Sequence, residues 1–321
     1  MRSERDRTVC VLGGTGFIGR HLCASLVQDG WAVRVPTRNA ARHRDLLVLP
    51  GATLVSTNVH DPAALRRVCA GCGTVINLIG ILNEGRRDRD GFQAVHVELA
   101  RQVVAACGEL GIRRLLHTSA LKADLPDPPS RYLRTKGEAE GIVRAADRVA
   151  WTIFRPSTIF GPGDSFINRF ARLLRWPAPL FPLPRADARF APVYVGDVVE
   201  AFRRALSDFD TIGRSFELCG PRVYTLAEIV SMIALALGQR RRVLPLPDWL
   251  ARIQARVMAL LPGTPFSMDN FRSLTIDAVC SDDGLRGLGI TPLPLEAELP
   301  RQLGMDARPR RYERLRRSGR L

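Results

Sequence analysis

The stretch Val9-Cys10-Val11-Leu12-Gly13-Gly14-Thr15-Gly16-Phe17-Ile18-Gly19-Arg20-His21-Leu22 decides the fold. Its first four residues are apolar, its last ones open a helical pattern, and Gly13, Gly16 and Gly19 fall between them three residues apart. Strand, glycine loop and helix in this order form a dinucleotide site. Gly13 turns the chain, Gly16 lets the backbone approach a pyrophosphate, and Gly19 lets helix and strand pack closely. The N–H groups of the helix start, around Thr15, Phe17 and Ile18, face the anion. A glycine triplet also occurs as a plain structural turn, but this one lies between an apolar strand and an amphipathic helix.

Working outward, apolar runs recur at Thr8 to Leu12, Ala32 to Pro36, Thr53 to Ser56, Thr74 to Ile79, Arg114 to Thr118 and Trp151 to Phe154, with helical stretches between most of them. This rhythm specifies an α/β fold, a Rossmann-type doubly wound parallel sheet with helices on both faces. Phe92, Val95, Leu99, Val103 and Ala106 predict a helix over 91–110, closed by Gly111. Beyond Arg155 the chain turns Pro-rich. A strand-helix unit at Val193 to Leu206 and a strand at Phe216 to Cys219 are expected to rejoin the main sheet. The predicted division is a nucleotide domain over 1–156 completed by about 193–220, a smaller C-terminal substrate lobe over 157–192 and 221–305, and a basic tail over 306–321.

The second strand ends at Thr37-Arg38-Asn39, about 20 residues past the loop, where NAD-specific proteins carry an acid for the ribose hydroxyls. Arg38 suits a 2′-phosphate instead, with Arg42 and His43 as helpers. NADP(H) is therefore the expected cofactor and NAD(H) the alternative. An exposed arginine without that role is the plainer reading of Arg38. Asn58 and Asp61 at the end of the third strand, and Asn77 and Gly80 at the end of the fourth, stand on the expected rim of the ligand crevice.

Thr118 and Ser119 follow the fifth strand, and Tyr132 and Lys136 come thirteen and seventeen residues after Ser119. Tyr and Lys at i and i+4 share a helix face, so the ammonium is expected to lower the phenol pKa toward working pH and make Tyr132 a proton donor or acceptor. Ser119 would hold the substrate oxygen. A half-buried Tyr beside a solvated Lys is the bland alternative, but Lys122 and Lys136 are the only lysines in the chain.

The glycine loop, this YxxxK, Arg155-Pro156-Ser157-Thr158-Ile159-Phe160-Gly161-Pro162-Gly163-Asp164 and Pro192-Val193-Tyr194-Val195-Gly196-Asp197-Val198 together resemble the atypical, extended-type short-chain dehydrogenase/reductases. Within these the chain is similar to the NAD(P)H-binding accessory subunit of mitochondrial complex I and its bacterial relatives, from about residue 8 to 303. The resemblance implies bound NADPH, with Thr118, Pro156 and Ser157 among the contacts, and links to quinone metabolism or respiratory assembly. It also implies that the dinucleotide can serve as a structural element without turnover. Two departures, Asn58 where such proteins commonly show Asp and the short Ser119 to Tyr132 interval, argue against a nucleotide sugar.

The bulk numbers bound the rest. At 321 residues, 46% of them hydrophobic, the chain holds one large core and a smaller one. No signal peptide or membrane-spanning run is read. Seven scattered cysteines argue against a disulfide framework, and the Cys69/Cys72 pair lacks companion ligands, so no metal is expected. Cytoplasmic placement follows, extended to a peripheral position on the inner face of the membrane. The net charge of +15 rests on 47 basic residues, all but two of them Arg. Without a helix-turn-helix, zinc or aromatic-platform motif it does not indicate nucleic acid. The expected partner is a small hydrophobic or quinone-like ligand. An anionic membrane surface is a further expected partner, met by an apolar and basic helix carrying Leu246, Trp249, Leu250, Ile253, Val257, Leu260 and Leu261 beside Arg252 and Arg256, and by the tail Arg308 to Arg320. Core packing of that stripe and a solvated tail are the alternative.

Overall fold

The computed structural model describes residues 4–84, 91–176, 179–247, 249–250, 253–254 and 267–304. It divides into two compact units. The first comprises Met1–Pro156, Val195–Leu218 and Cys280–Thr291, the second Ser157–Tyr194, Cys219–Val279 and Pro292–Leu321.

Seven strands form the sheet of the first unit: β1 Thr8–Leu12, β2 Ala32–Thr37, β3 Ala52–Ser56, β4 Thr74–Asn77, β5 Arg114–Thr118, β6 Ala150–Pro156 and β7 Arg214–Leu218. Their order is β7-β6-β5-β4-β1-β2-β3, and every neighbouring pair is parallel. The central strands β4 and β5 are buried throughout, as is β1 from Val9 onward. Helices cover both faces, so adjacent residues are apolar at Val9–Leu12 in β1, at Val75 and Ile76 in β4 and at Leu115 and Leu116 in β5. Edge strand β3 is half-buried to exposed. The winding reverses between β1 and β4, so a crevice opens beyond their carboxyl ends.

Helices Phe17–Gln28, Pro62–Cys69, Leu99–Leu110, Arg131–Arg144 and Val195–Ser207 flank this sheet in the first unit. One core side packs Leu65, Val68, Leu99, Val103 and Ile112 on Leu12, Val75, Leu115 and Ile153. Each such side chain contributes on the order of 1.5–3 kcal/mol of transfer free energy. Gly111 caps Leu99–Leu110 at φ 61°, as its sequence position requires. The preceding turns depart from the α form, because Gln93–Glu98 is a π-helix. That extra residue per turn brings His96 and Val97 inward, both 2% exposed, and leaves Val95 at the margin.

Two segments expected elsewhere change unit or sheet. Val193–Tyr194 does not return to the main sheet but pairs in parallel with Ile159–Phe160 in the second unit. The place beside β6 is filled by β7, with Arg214 opposite Thr152 and Leu218 opposite Pro156. Cys280–Thr291 joins the first unit, although its position in the chain suggested the lobe. The Ser281 N–H donates to Glu217 at 2.5 Å, and a Cβ on Gly284 would lie 2.4 Å from the Glu217 carbonyl oxygen.

In the second unit, Phe166–Leu174, Leu226–Ala236 and Leu295–Gly304 enclose Phe160, Ile167, Ile229, Ile233 and Leu299. Asp164 accepts from the Ile167 N–H at 2.6 Å and from the Gln302 amide, which ties the loop to the last helix. Leu246, expected to open an apolar helix, instead ends a strand, Arg242–Leu246, that pairs with Leu180–Pro184. Pro245 and Pro247 disfavour a helix there. Of the remaining expected stripe Trp249, Leu250 and Ile253 are helical. Arg252, Arg256, Val257, Leu260, Leu261 and the tail lie outside the described residues.

Five cysteines, Cys10, Cys23, Cys69, Cys72 and Cys107, are free and buried. Cys219 and Cys280 are disulfide-bonded, which the scattered spacing did not reveal. Among the described residues no helix is long and apolar enough to cross a membrane.

Candidate functional site

The glycine loop leaves β1 at Leu12, and Gly13 takes φ 81°, a left-handed value that favours glycine. Gly16 donates to the Gly13 carbonyl at 2.9 Å and closes a tight turn. A Cβ on Gly19 would fall 2.3 Å from that same oxygen and 2.5 Å from the Gly14 Cα, and one on Gly14 would fall 2.8 Å from Val35 Cγ1. Glycine is therefore required by close approach at Gly19 and Gly14 and by backbone conformation at Gly13. Gly16, exposed at the N-cap of Phe17–Gln28, brings no side-chain acceptor. The N–H groups of Phe17, Ile18 and Gly19 thus begin the helix without a side-chain cap, and a helix start of this kind carries partial positive charge.

Arg20, not singled out from the sequence, lies one turn into this helix. Its Nε donates to the Thr15 carbonyl at 3.0 Å, and its guanidinium pairs with Asp45 and donates to His43 Nδ1 at 3.0 Å. The signal available was its place directly after the last glycine. His43 is thereby engaged by Arg20, while Arg42 and Arg38 are exposed. Arg38 follows the end of β2 and reaches the neighbourhood of His60, whose pKa is lowered by burial and by that positive charge.

On the third strand's rim, Asn58 Oδ1 accepts from the His60 N–H at 3.2 Å, and Asp61 Oδ1 accepts from the Ala63 N–H at 3.0 Å as N-cap of Pro62–Cys69. Both side chains shape their own turn. Asn77, 2% exposed, is held at both ends of its amide. Its Oδ1 accepts from the Ile79 N–H at 3.1 Å and its Nδ2 donates to His117 Nδ1 at 3.3 Å.

The ends of β4 and β5 meet the helix Arg131–Arg144, which Ser130 caps by accepting from the Leu133 N–H. Lys136 is 4% exposed, and its Nζ donates to the Thr118 carbonyl at 3.0 Å. A Cβ on Gly80 would lie 3.0 Å from that Nζ, so the absence of a side chain at residue 80 makes room for the ammonium. Ser119 is anchored by its N–H, which donates to the Phe154 carbonyl at 2.7 Å. Its Oγ and that of Thr118 are buried with no hydrogen-bond partner. Tyr132, one turn before Lys136, packs against Ala120, Ala123 and Leu133 and presents its ring edge-on to His96 and Phe92 at 5.6 and 6.1 Å.

Burial governs the charges here. It pushes the Tyr132 phenol up to about 12 and brings the Lys136 ammonium down to about 8, with Glu140 opposing the latter. The expectation that Lys136 lowers the Tyr132 pKa is thus reversed, because the ammonium is held by the Thr118 carbonyl while desolvation favours the neutral phenol. Glu140 is fixed by a bidentate pair with the buried Arg155 at 2.6 and 2.8 Å, which Asp124 also meets at 2.6 Å.

Two histidines that sequence reasoning passed over belong to this cluster. His96 Nε2 accepts from the Ile81 N–H at 3.1 Å, so the ring proton sits on Nδ1 and donates to Thr135 Oγ1 at 2.8 Å. The Asn77 amide likewise makes His117 Nδ1 an acceptor and leaves the proton on Nε2, a buried atom with no partner. Burial first, and Lys136 next, bring both down to about 3, so both rings are neutral at ordinary pH. Their local sequences carried no sign of this, since the partners are 15 to 40 residues away. Of the remaining expected contacts, the Pro156 carbonyl accepts from the Leu121 N–H at 3.2 Å in the first unit. Ser157 belongs to the second, where its hydroxyl donates to the Ala278 carbonyl at 2.8 Å.

Residues 9–220 match the model of the NAD dependent epimerase/dehydratase family. The chain belongs to this family. Its Rossmann-type sheet, short-chain dehydrogenase/reductase motifs and likeness to complex I subunits agree with the resemblance read from the motifs. Alpha subcomplex subunit 9 of mitochondrial NADH dehydrogenase [ubiquinone] 1 from Mus musculus is 33% identical over 89% of this chain and 77% of its own length. A ceramide reductase from Caulobacter vibrioides is 34% identical over 77% of this chain and 76% of its own. Among solved structures of the fold, MoeE5 in complex with UDP-glucose and NAD superposes with a TM-score of 0.72 at 22% identity, covering 94% of this chain and 99% of that one.

Proposed function

We propose that this family member is an NADP(H)-dependent oxidoreductase that interconverts a carbonyl and a hydroxyl on a hydrophobic small molecule, with a quinone-like compound among the candidates. The observation that carries the reading is the meeting of buried Lys136, the unpartnered hydroxyls of Ser119 and Thr118, and a neutral Tyr132 one turn away. A buried hydroxyl without a partner costs about 1–3 kcal/mol, a cost that a bound ligand removes.

The residues present fit a dinucleotide. The helix start at Phe17 is uncapped, the loop before it admits no side chain at Gly19 or Gly14, and Gly80 leaves space beside Lys136. Gly13, Thr15, Gly16, Phe17, Ile18 and Gly19 would hold the pyrophosphate, Arg38 the 2′-phosphate, Asn58 and Asp61 the adenine end, and Asn77, Gly80, Thr118, Tyr132, Lys136 and Pro156 the nicotinamide end. The bound dinucleotide supplies or accepts the hydride. In the reducing direction Tyr132, protonated over the working range, donates its phenolic proton to the substrate oxygen. Lys136 steadies the phenolate that results. Ser119 Oγ donates to the same oxygen and orients it. The ceramide reductase likeness favours an apolar substrate.

Arg38 sets the cofactor choice. A charge-assisted contact to a 2′-phosphate contributes on the order of 1.5–3 kcal/mol, or roughly ten- to a hundredfold in affinity. Titration calorimetry should therefore find NADPH bound more tightly than NADH, with the difference lost in Arg38→Ala. Equal affinities in the unaltered chain defeat the assignment.

The complex I subunit likeness over 89% of the chain favours a second reading, in which the dinucleotide stabilises a non-catalytic accessory protein. Lys136→Met separates the two when NADPH oxidation is followed with apolar carbonyl compounds. The oxidoreductase reading expects loss of turnover together with weaker NADPH binding. Unchanged biological function despite abolished turnover decides for the accessory role.

A further inference from the structure

We propose that one face of the second unit is a docking surface for an anionic phospholipid bilayer, with Trp176, Leu180 and Leu244 at its centre and Arg172, Arg175, Arg240 and Arg242 around them. The ribbon of Leu180–Pro184 and Arg242–Leu246 pairs in parallel, Arg242 opposite Leu180 and Leu244 opposite Pro182. Alternate residues of a strand share a face, so Leu180, Pro182, Arg242 and Leu244 stand together. This is the face left in solvent: Leu180 is 50% and Leu244 47% exposed, whereas Phe181, Leu183 and Val243 on the other side pack into the core.

Trp176 lies at the start of this ribbon and is 76% exposed. The Arg241 guanidinium donates to the Leu174 and Trp176 carbonyls at 3.3 and 3.0 Å, and the Arg242 N–H donates to the Pro179 carbonyl at 3.2 Å. These bonds hold the backbone at Trp176 next to the ribbon. Arg172 leaves the solvent side of Phe166–Leu174, whose Ile167, Ala171 and Leu174 are buried, and the exposed Arg175 follows as its C-cap.

Charge selects the occupant. Residues 165–186 and 229–247 contain no Asp or Glu, and they carry Arg169, Arg172, Arg175, Arg185, Arg240, Arg241 and Arg242. Surfaces that need only solubility mix both signs. An apolar centre with an indole, set in a rim of one sign, matches the layering of a bilayer edge. Leucines enter the acyl boundary, tryptophan sits at headgroup level, and guanidinium groups meet lipid phosphates. The inference does not rest on the oxidoreductase reading, because vesicle binding and turnover are measured separately.

The test is flotation of the full chain with phosphatidylcholine vesicles containing phosphatidylglycerol, and with phosphatidylcholine alone, at low and high salt, while tryptophan emission is recorded. Binding should require the anionic lipid, fall with salt, and shift emission to the blue by an amount that Trp176→Phe removes. Combining Arg172→Gln, Arg240→Gln and Arg242→Gln, whose side chains are exposed, should weaken binding about fivefold for each charge removed. Three results overturn the proposal. The first is absent or lipid-indifferent binding. The second is binding with unshifted Trp176 emission that the arginine changes leave intact, which assigns it to another basic segment such as Arg308 to Arg320. The third is an emission shift that follows protein concentration without vesicles, which assigns the face to a second copy of the chain.

Discussion

Tyr132→Phe should lower turnover by about 10²–10⁴-fold, the range over which a positioned proton donor contributes to rate. Only the hydroxyl is lost, and the ring keeps its edge-on contacts with His96 and Phe92, so dinucleotide affinity and thermal stability should stay near those of the unaltered chain. The pH profile carries a second signature. Lys136, brought down to about 8 by burial, must be charged to steady the phenolate, so the reduction rate should be level below that pH and decline above it. Steady-state rates with a reducible apolar carbonyl compound check both points. If Tyr132→Phe turns that compound over at the unaltered rate, the mechanism is wrong.

Acidification should unfold the protein well before its carboxylates are fully protonated. His96 and His117 are each 2% exposed and brought down to about 3, mainly by burial and then by Lys136. In the unfolded chain both return to about 6.5. A depressed histidine favours the neutral form in the fold, so its contribution is complete above about pH 6.5 and is lost as pH falls toward the folded value. Linkage makes the loss on the order of 2–3 kcal/mol for each ring by about pH 4.5, a large share of a typical domain's stability. Asp164, pushed above its ordinary value by burial, works in the opposite direction over the carboxylate range. Urea unfolding midpoints between pH 7 and 4.5 measure the effect. Replacing each histidine by a non-titrating amide, His96→Asn or His117→Gln, should reduce the pH dependence even where it lowers stability at neutral pH. A midpoint level across that range in the unaltered chain would falsify the burial argument.

The amino-acid sequence by itself determined the features that neighbours along the chain decide. The left-handed turn at Gly13, the packing glycine at Gly19, the cap at Gly111 and the parallel strands from Thr8 to Pro156 all follow from local sterics and from the period of the apolar residues. The crevice followed with them, since strand order and the position of Gly13 place it. Where long-range pairing was needed, local pattern failed. Val193–Tyr194 reads as another strand of the sheet, yet the edge of β6 was already taken by β7.

Only the tertiary structure decided the electrostatics of the candidate site. Tyr132 and Lys136 at i and i+4 suggest a phenol acidified by an ammonium, but the balance depends on how much water the fold removes and on the Thr118 carbonyl holding that ammonium. The neutrality and tautomers of His96 and His117 depend likewise on Ile81, Thr135 and Asn77, brought to them by sheet and helix packing. The exposed face of Leu180 and Leu244 exists only because strands 62 residues apart pair in one register. Periodicity and backbone conformation are local and can be read in order along the chain, whereas burial and charge sum over whatever the fold brings near.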